Sequence, residues 1–188
     1  MLRPSPSPRP KLTQSHVERL RSRLDRALGP SKLVTSPDGL AAYAGDESEN
    51  DPVLPDVAVI AENEDDVRTA LAVALDERVP ITPRAAGSGK SGGCIPVAGG
   101  IALATHGMAR IVDIDEAELV AIVEPGVVLG DLHDEVERRG LFYPPDANSL
   151  SWCAIGGNIA ENAGGPRAFK YGTTRDYVLG LEVAVIGG

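Results

Sequence analysis

The segment Pro83-Arg84-Ala85-Ala86-Gly87-Ser88-Gly89-Lys90-Ser91-Gly92-Gly93 concentrates the residue types that hold phosphate groups. Gly89-Lys90-Ser91 ends like a P-loop, G-x-x-x-x-G-K-[ST], and Ile111-Val112-Asp113 could pass for the acidic strand that holds magnesium. Two physical objections stand against that reading. The first glycine of the pattern falls on position 84, which is Arg, and a long side chain suits the tight wrap poorly. A P-loop also runs straight into a helix whose N-terminal amides hold the phosphates. Here Ser91 is followed by Gly92, Gly93, Pro96, Gly99 and Gly100, and in a helix interior Gly costs about 1 and Pro about 3 kcal/mol relative to Ala. The competing chemistry is a nest of consecutive amides, which binds a diphosphate without a large positive charge. Gly87, Gly89, Gly92 and Gly93 permit the positive φ angles and close approach that a nest requires. An ordinary glycine-rich surface loop remains the third reading of this segment taken alone.

A second segment shifts the balance: Pro144-Pro145-Asp146, then Cys153-Ala154-Ile155-Gly156-Gly157-Asn158-Ile159-Ala160-Glu161-Asn162-Ala163-Gly164-Gly165-Pro166-Arg167, then Lys170-Tyr171-Gly172-Thr173-Thr174-Arg175-Asp176-Tyr177. The two segments together resemble the FAD-linked oxidases related to vanillyl-alcohol oxidase, and within them the D-lactate dehydrogenase and glycolate oxidase flavin-subunit group. The family's first loop reads roughly P-R-G-x-G-T-x-x-S-G-G and its second P-D-x-x-S-x-x-x-C-T-I-G-G-N-x-A-x-N-A-G-G. The likeness runs from about Val34 to the last residue. This chain departs from the pattern at Ala85, Ser88, Lys90 and Ala154. Ser88 keeps the hydroxyl of the usual Thr, whereas a Cβ at Ala85 crowds the phosphate if its backbone needs positive φ.

The resemblance implies non-covalent FAD held between two walls. Relatives that attach the flavin covalently often use a His where this chain has Ser88. The first wall would be Arg84, Ala85, Ala86, Gly87, Ser88, Gly89, Ser91 and Gly92; the second Pro145, Asp146, Cys153, Gly156, Gly157, Asn158, Asn162, Gly164, Gly165, Tyr171 and Gly172. Asn158 and Asn162 carry amides able to donate to phosphate or flavin oxygens and to accept from ring nitrogens. The implied reaction is hydride transfer from the α-carbon of a D-2-hydroxy acid, lactate or glycolate in type, to the flavin, with electrons passed to an acceptor that the sequence does not name. In the family a substrate-binding cap domain follows, so the chain reads as the first half of such a protein: a fragment, a frameshifted gene or a split subunit awaiting its C-terminal half. No catalytic residue is assigned within it, and the chain alone is expected to be inactive. Two other readings stay open: an NADPH-dependent reductase of the same flavin fold, as in enolpyruvyl-glucosamine reduction, and a catalytically inert remnant or interaction subunit.

Composition fits an enzyme domain. The chain has 188 residues, 43% hydrophobic, enough to bury a core. A formal charge of −9, from 27 acidic against 18 basic residues, argues against a nucleic-acid partner. The acids between Asp46 and Asp66 meet no Lys or Arg and read as a solvated loop and helix start rather than an acidic docking surface. Cys94 and Cys153 lie far apart, without metal-ligand spacing, and point to a reduced, cytoplasmic protein, with peripheral membrane attachment through a partner as the variant. His16, His106 and His133 are scattered and read as structural or surface residues.

The elements that must position these loops follow from periodicity. Residues 1–14 are Pro- and Ser-rich and read as a disordered tail, 15–50 as N-terminal helices, and 51–188 as a truncated FAD-binding domain. Val17, Leu20, Leu24 and Leu28 give a helix over His16 to Leu28, ended by Gly29-Pro30. Ser36 caps a short helix near Leu40 to Ala44. A β-α-β unit is expected from a strand at Val57 to Ile60, a helix capped by Asn63, and a strand at Val79 to Thr82, which places the Gly-rich loop at a strand end. Ile101 to Ala104, Arg110 to Asp115 and Leu119 to Val123 read as strands, Val127 to Arg139 as a helix, and Val183 to Ile186 as a last strand with an unpaired edge. The fold class is α+β: a small parallel β-α-β lobe followed by a mostly antiparallel lobe with flanking helices, the latter incomplete. Six of seven aromatic residues fall after position 141 and read mainly as core packing, with Tyr171 the one placed near the flavin by resemblance.

Overall fold

The computed structural model describes residues 12–186. The tail expected over 1–14 therefore falls mostly outside the described residues. Thr13 accepts a hydrogen bond from His16 N and starts α1, Gln14–Leu28. Leu20 and Leu24, both fully buried, turn the apolar face of α1 onto the first core.

That core is built by one four-stranded sheet. β1 (Leu33–Val34) pairs antiparallel with β2 (Val57–Ile60); β2 and β3 (Ile81–Arg84) both pair parallel with β4 (Ile101–Ala104), giving the order β1-β2-β4-β3. Between β1 and β2 lies α2, Pro37–Ala41, capped by Ser36, whose side chain accepts from Gly39 N. Val57 and Val59 face the same core as Ile101 and Leu103, while Ala58 and Ala102 face Leu40 on the other side. With both faces covered, β2 and β4 can be short continuous apolar runs. Connecting β2 to β3 is α3, Glu64–Glu77, capped by Asn63 and packed against α1. Glu77 ties the two helices. It accepts from Arg19 Nε and Arg23 Nη1, both at 2.9 Å.

β3 begins two residues later than the sequence suggests, because Val79 N bonds Ala74 O and serves the end of α3. Pro83 is tolerated within it because β3 is the edge strand. From the C-terminal end of β3 the chain must return to the start of β4 to pair in parallel. Residues 85–100 make that return without a helix.

A second unit is assembled on the antiparallel hairpin of β5 (Ile111–Asp115) and β6 (Val120–Val123). Against it pack α4, Leu129–Arg138, and α5, Ile155–Glu161, around Val127, Leu129, Leu132, Val136, Cys153 and Ile155. α4 is shorter at both ends than expected from the sequence. After α5 come α6, Ala168–Tyr171, and a 3₁₀ turn at Thr174–Tyr177. The expected parallel lobe and antiparallel lobe are thus both present, as an α+β arrangement. The strand expected at Val183 to Ile186 is not formed. Residues 178–185 form neither strand nor helix, and Val183, Val185 and Ile186 are exposed.

Candidate functional site

The Gly-rich loop leaves β3 at Arg84, and Arg84 organises its base. Its Nη1 donates to Gly45 O at 2.5 Å and to Cys94 Sγ at 3.2 Å. Gly87 and Gly92 adopt φ of +80° and +81°, angles that a Cβ would strain by about 1–2 kcal/mol. Two ties to Glu47 hold the loop down: Glu47 N donates to Gly89 O at 3.0 Å, and the Lys90 side chain donates through Nζ to Glu47 O at 3.5 Å. Ala86 and Ser88 are half-buried within it.

One loop amide already holds an anion. Gly92 N donates to Asp46 Oδ2 at 2.8 Å. Burial pushes the Asp46 carboxyl up, but hydrogen bonds from Ser48 Oγ, Ser48 N and Gly92 N, with Arg84 nearby, outweigh it and hold the group below the usual carboxylate range. Burial raises the Cys94 thiol despite Arg84, so it is a neutral filler rather than a nucleophile.

The second motif forms the facing wall. Gly156 N donates to Pro125 O at 2.8 Å, and a Cβ there would sit 2.8 Å from Pro125 Cβ, so Gly156 serves helix packing. Gly157 is the point of approach: a Cβ on it would lie 3.6 Å from Ala85 Cβ. One turn on, Glu161 crosses to the loop, and Ser91 Oγ lies 2.7 Å from both of its carboxylate oxygens. Asn158 is buried, and its backbone N donates to Ala154 O at 3.0 Å. Asn162 ends α5 in the left-handed region at φ 51°, a conformation Asn tolerates, and its Oδ1 accepts from Arg175 N at 3.0 Å.

The remaining predicted site residues support this wall from behind. Pro145 is buried, and its carbonyl lies 2.8 Å from His133 Nε2. Asp146 accepts from Arg167 N at 3.0 Å and ion-pairs with Arg167 Nε at 3.3 Å, while Gly165 lies so close that a Cβ would fall on the Asp146 carbonyl. A Cβ on Gly164 would meet Ala168 and Thr173 at ordinary contact distance. Gly172, at φ 90°, leaves room for Asp176 Oδ2, which accepts from Thr173 N. Tyr171 stands edge-on to Phe142, and its carbonyl accepts from Tyr177 Oη at 2.6 Å. Tyr143, pushed up to about 12 by burial, links His133 and Tyr177 through edge-on rings. Cys153 is almost fully buried in the second core and lines neither wall.

The structure therefore brings Ala85 to the first turn of α5 and Gly89, Ser91 and Gly93 to its last residue, leaves Gly92 against Asp46 and Asn50, and sets Pro145, Asp146, Gly165, Tyr171 and Gly172 as the scaffold behind. Sequence reasoning missed three contributors. Asp46 lay hidden in the acidic run, whose members are not simply solvated: Asp46 bonds Gly92, Asp56 accepts from Gly100 N at 2.6 Å, and Asp66 takes Lys32 at 2.7 Å. Glu161 stood inside the quoted motif, but its reach to Ser91 has no local signal. His133 has none either, since its partner lies 12 residues on.

A diphosphate fits the arrangement. Gly92 N donates to a carboxylate and Gly93 N to a hydroxyl, so the loop's amides are donors of the kind that hold anionic oxygens, while Glu161 Oε1 faces the space beside Gly89 and Gly93, at 3.5 and 2.6 Å from where a Cβ would lie. Magnesium nucleotide does not fit it: no helix follows the loop, and Asp113 lies on β5, in the other sheet. An open cleft of about 630 Å³ beside the loop, lined by Glu47, Ser48, Glu49, Asn50 and Lys90, carries two carboxylates that repel a diphosphate. Among the described residues no group of His, Cys, Asp and Glu side chains is placed to hold a metal, and no helix is long and apolar enough to cross a membrane.

Comparison with known proteins agrees with this geometry. The chain is 41% identical over 169 residues to the glycolate oxidase subunit GlcD of Bacillus subtilis, covering 90% of this chain and 36% of that protein. It is 37% identical over 134 residues to a D-lactate dehydrogenase of Anaerostipes hadrus, covering 71% and 28%. Among solved structures, alkyldihydroxyacetonephosphate synthase superposes with a TM-score of 0.74 at 21% identity, over 91% of this chain and 33% of that one, a likeness of fold. The chain thus spans about a third of the length of these relatives. Residues 55–188, which contain both glycine-rich walls, match the family described as FAD binding domain, and the chain belongs to that family.

Proposed function

We propose that this chain supplies the FAD cradle of an enzyme that oxidises a D-2-hydroxy acid of the lactate or glycolate type, and that it holds the cofactor non-covalently. The observation that carries the reading is the pair of glycine walls meeting at Ser91 and Glu161, with loop donors already engaged by carboxylates. In this reading the loop from Arg84 to Gly92 takes the diphosphate. Gly157, Asn158 and Asn162 form the opposite wall, backed by Pro145, Asp146, Gly164, Gly165, Tyr171 and Gly172. Ser88 offers a hydroxyl, which does not replace the imidazole linkage of covalent flavoproteins. Bound flavin supplies a hydride acceptor; the chain's own residues orient it and exclude water from one side.

Proton transfer from the substrate hydroxyl is assigned to the larger protein. The three histidines have other neighbours: His16 Nε2 lies 3.2 Å from Glu77 Oε2, His106 stacks on the Tyr43 ring, and His133 Nε2 lies 2.8 Å from Pro145 O. The proposed partners are a small hydroxy acid, an electron acceptor, and the polypeptide that completes the site, in a cytoplasmic enzyme or one attached peripherally through a partner. The exposed apolar run Leu179, Leu181, Val183, Val185 and Ile186 favours an interaction subunit as the second reading.

Titrating the full-length protein with FAD, and separately with ATP and magnesium, tests the cradle. Quenching of flavin fluorescence with no ATP response is expected, and acid precipitation should leave the yellow colour in the supernatant. Dye reduction by D-lactate or glycolate should follow in the full-length protein but not in residues 1–188 alone. Tight magnesium-ATP binding without flavin would overturn the proposal, and turnover by residues 1–188 would overturn the placement of the base.

A further inference from the structure

We infer that Glu161 is a movable internal anion that spans the phosphate cradle and must leave it when a ligand binds. The inference rests on the flavin reading above and adds to it a residue that opposes binding.

Ser91 has one hydroxyl proton. With both Glu161 oxygens at 2.7 Å and Gly93 N donating to the same Oγ at 3.3 Å, that proton is committed to Glu161. The carboxylate also takes up the space, since a Cβ on Gly93 would lie 2.6 Å from Oε1 and one on Gly89 3.5 Å from it. A phosphate oxygen settling over Gly89 to Gly93 and taking the Ser91 proton would meet a like charge at contact distance. Asp46 is the instructive contrast. It is half-buried, held by Ser48 N, Ser48 Oγ and Gly92 N, with Arg84 nearby, so it is part of the frame. Glu161 is exposed, sits at the last residue of α5, and has no cation within ion-pairing distance among the described residues. Among the described residues its polar partner is Ser91, so a rotation about its side chain frees both the proton and the space. The same contact joins the two walls.

The test compares wild type, Glu161→Gln and Glu161→Ala in the full-length protein. Dissociation constants are measured by calorimetry for FAD and for inorganic pyrophosphate, and the Gly93 amide is followed by NMR. Removing an exposed like charge is worth about a two- to fivefold gain in affinity. Both variants should bind both ligands tighter by that factor, and the wild-type Gly93 amide should shift as ligand displaces the carboxylate. FAD binding that is unchanged or weaker in the variants would overturn the inference and leave the flavin reading intact, making Glu161 a clamp. Tighter pyrophosphate binding by the variants with no FAD binding in any form would sustain the inference and sink the flavin reading. No response to either ligand would refute both.

Discussion

Gly89→Ala separates a cradle role from a folding role more cleanly than any other single change in the loop. Gly89 is not among the glycines with positive φ, so an alanine there needs no strained backbone. Its Cβ would meet Glu161 Oε1 at 3.5 Å, an ordinary contact. Gly→Ala at a compatible site stabilises by about 0.4–1 kcal/mol through the unfolded chain. For a domain of this size each kcal/mol moves Tm by about 2–4 °C, so the variant should melt at the wild-type temperature or up to about 4 °C above it. Binding should respond in the opposite direction. The methyl points into the space between the walls, and a phosphate held off by it loses at least one charged hydrogen bond, worth about 1.5–3 kcal/mol. That corresponds to roughly 10- to 150-fold weaker FAD binding.

Scanning calorimetry and flavin-fluorescence titration on the same preparation provide the two readings. Gly87→Ala is the contrast, because its φ of +80° and the guanidinium of Arg84 beneath it make the change disruptive to the loop itself, lowering stability and affinity together. FAD affinity within twofold of wild type in Gly89→Ala, with Tm preserved, would refute the assignment of the cradle. A Tm loss larger than about 4 °C would refute the account of the loop's packing.

Two further outcomes follow from the supports of the site. Gly165→Ala places a Cβ on the Asp146 carbonyl, an overlap that costs about 1–3 kcal/mol and should lower Tm by about 2–12 °C; an unchanged Tm would show that the two segments are not in contact. Glu77, held down to about 2 by hydrogen bonds from Arg19 and Arg23, has a folded value below its ordinary 4.5, so its contribution is complete above pH 4.5 and is lost as pH falls from there toward 2. Tm should be level from pH 7 to 5 and decline below it, and Glu77→Gln should lower the level part and flatten the decline; an equal decline in the variant would refute the role.

What could be read from the sequence tracks how many levels of physics agreed at each place. Val57–Ile60 and Ile101–Ala104 were found at their observed bounds because four apolar residues are bounded by turn formers and buried on both faces. α3 was legible from its Asn63 cap and the 3.6-residue spacing of Val67, Leu71 and Ala74. β3 slipped by two residues, since an edge strand with half-buried side chains leaves a weak pattern and Val79 belongs to the helix end. β1 is two residues long and takes its identity from β2 rather than from its own sequence. α5 has little signal in the sequence, because Gly156-Gly157 is a poor way to begin a helix; Gly156 is packed on Pro125. The strand expected near Val183 had β-branched residues but no neighbour to pair with among the described residues.

The glycines of the two motifs show why a site can be recognised before it can be assigned. A sequence records the same letter for three different demands. Gly87, Gly92 and Gly172 are needed for a positive φ. Gly156 and Gly165 are needed because another backbone lies where a side chain would be. Gly89 is needed for neither: in the absence of ligand its missing side chain leaves space that only an exposed carboxylate faces. Folding alone accounts for the first two kinds, and a substitution at either should be felt in stability whatever the protein binds. The third kind has no folding explanation here. In the proposed reading that space belongs to the flavin diphosphate, whose oxygens would meet the hydroxyl of Ser91 and the neighbouring amide of Gly93, donors that suit anionic oxygens.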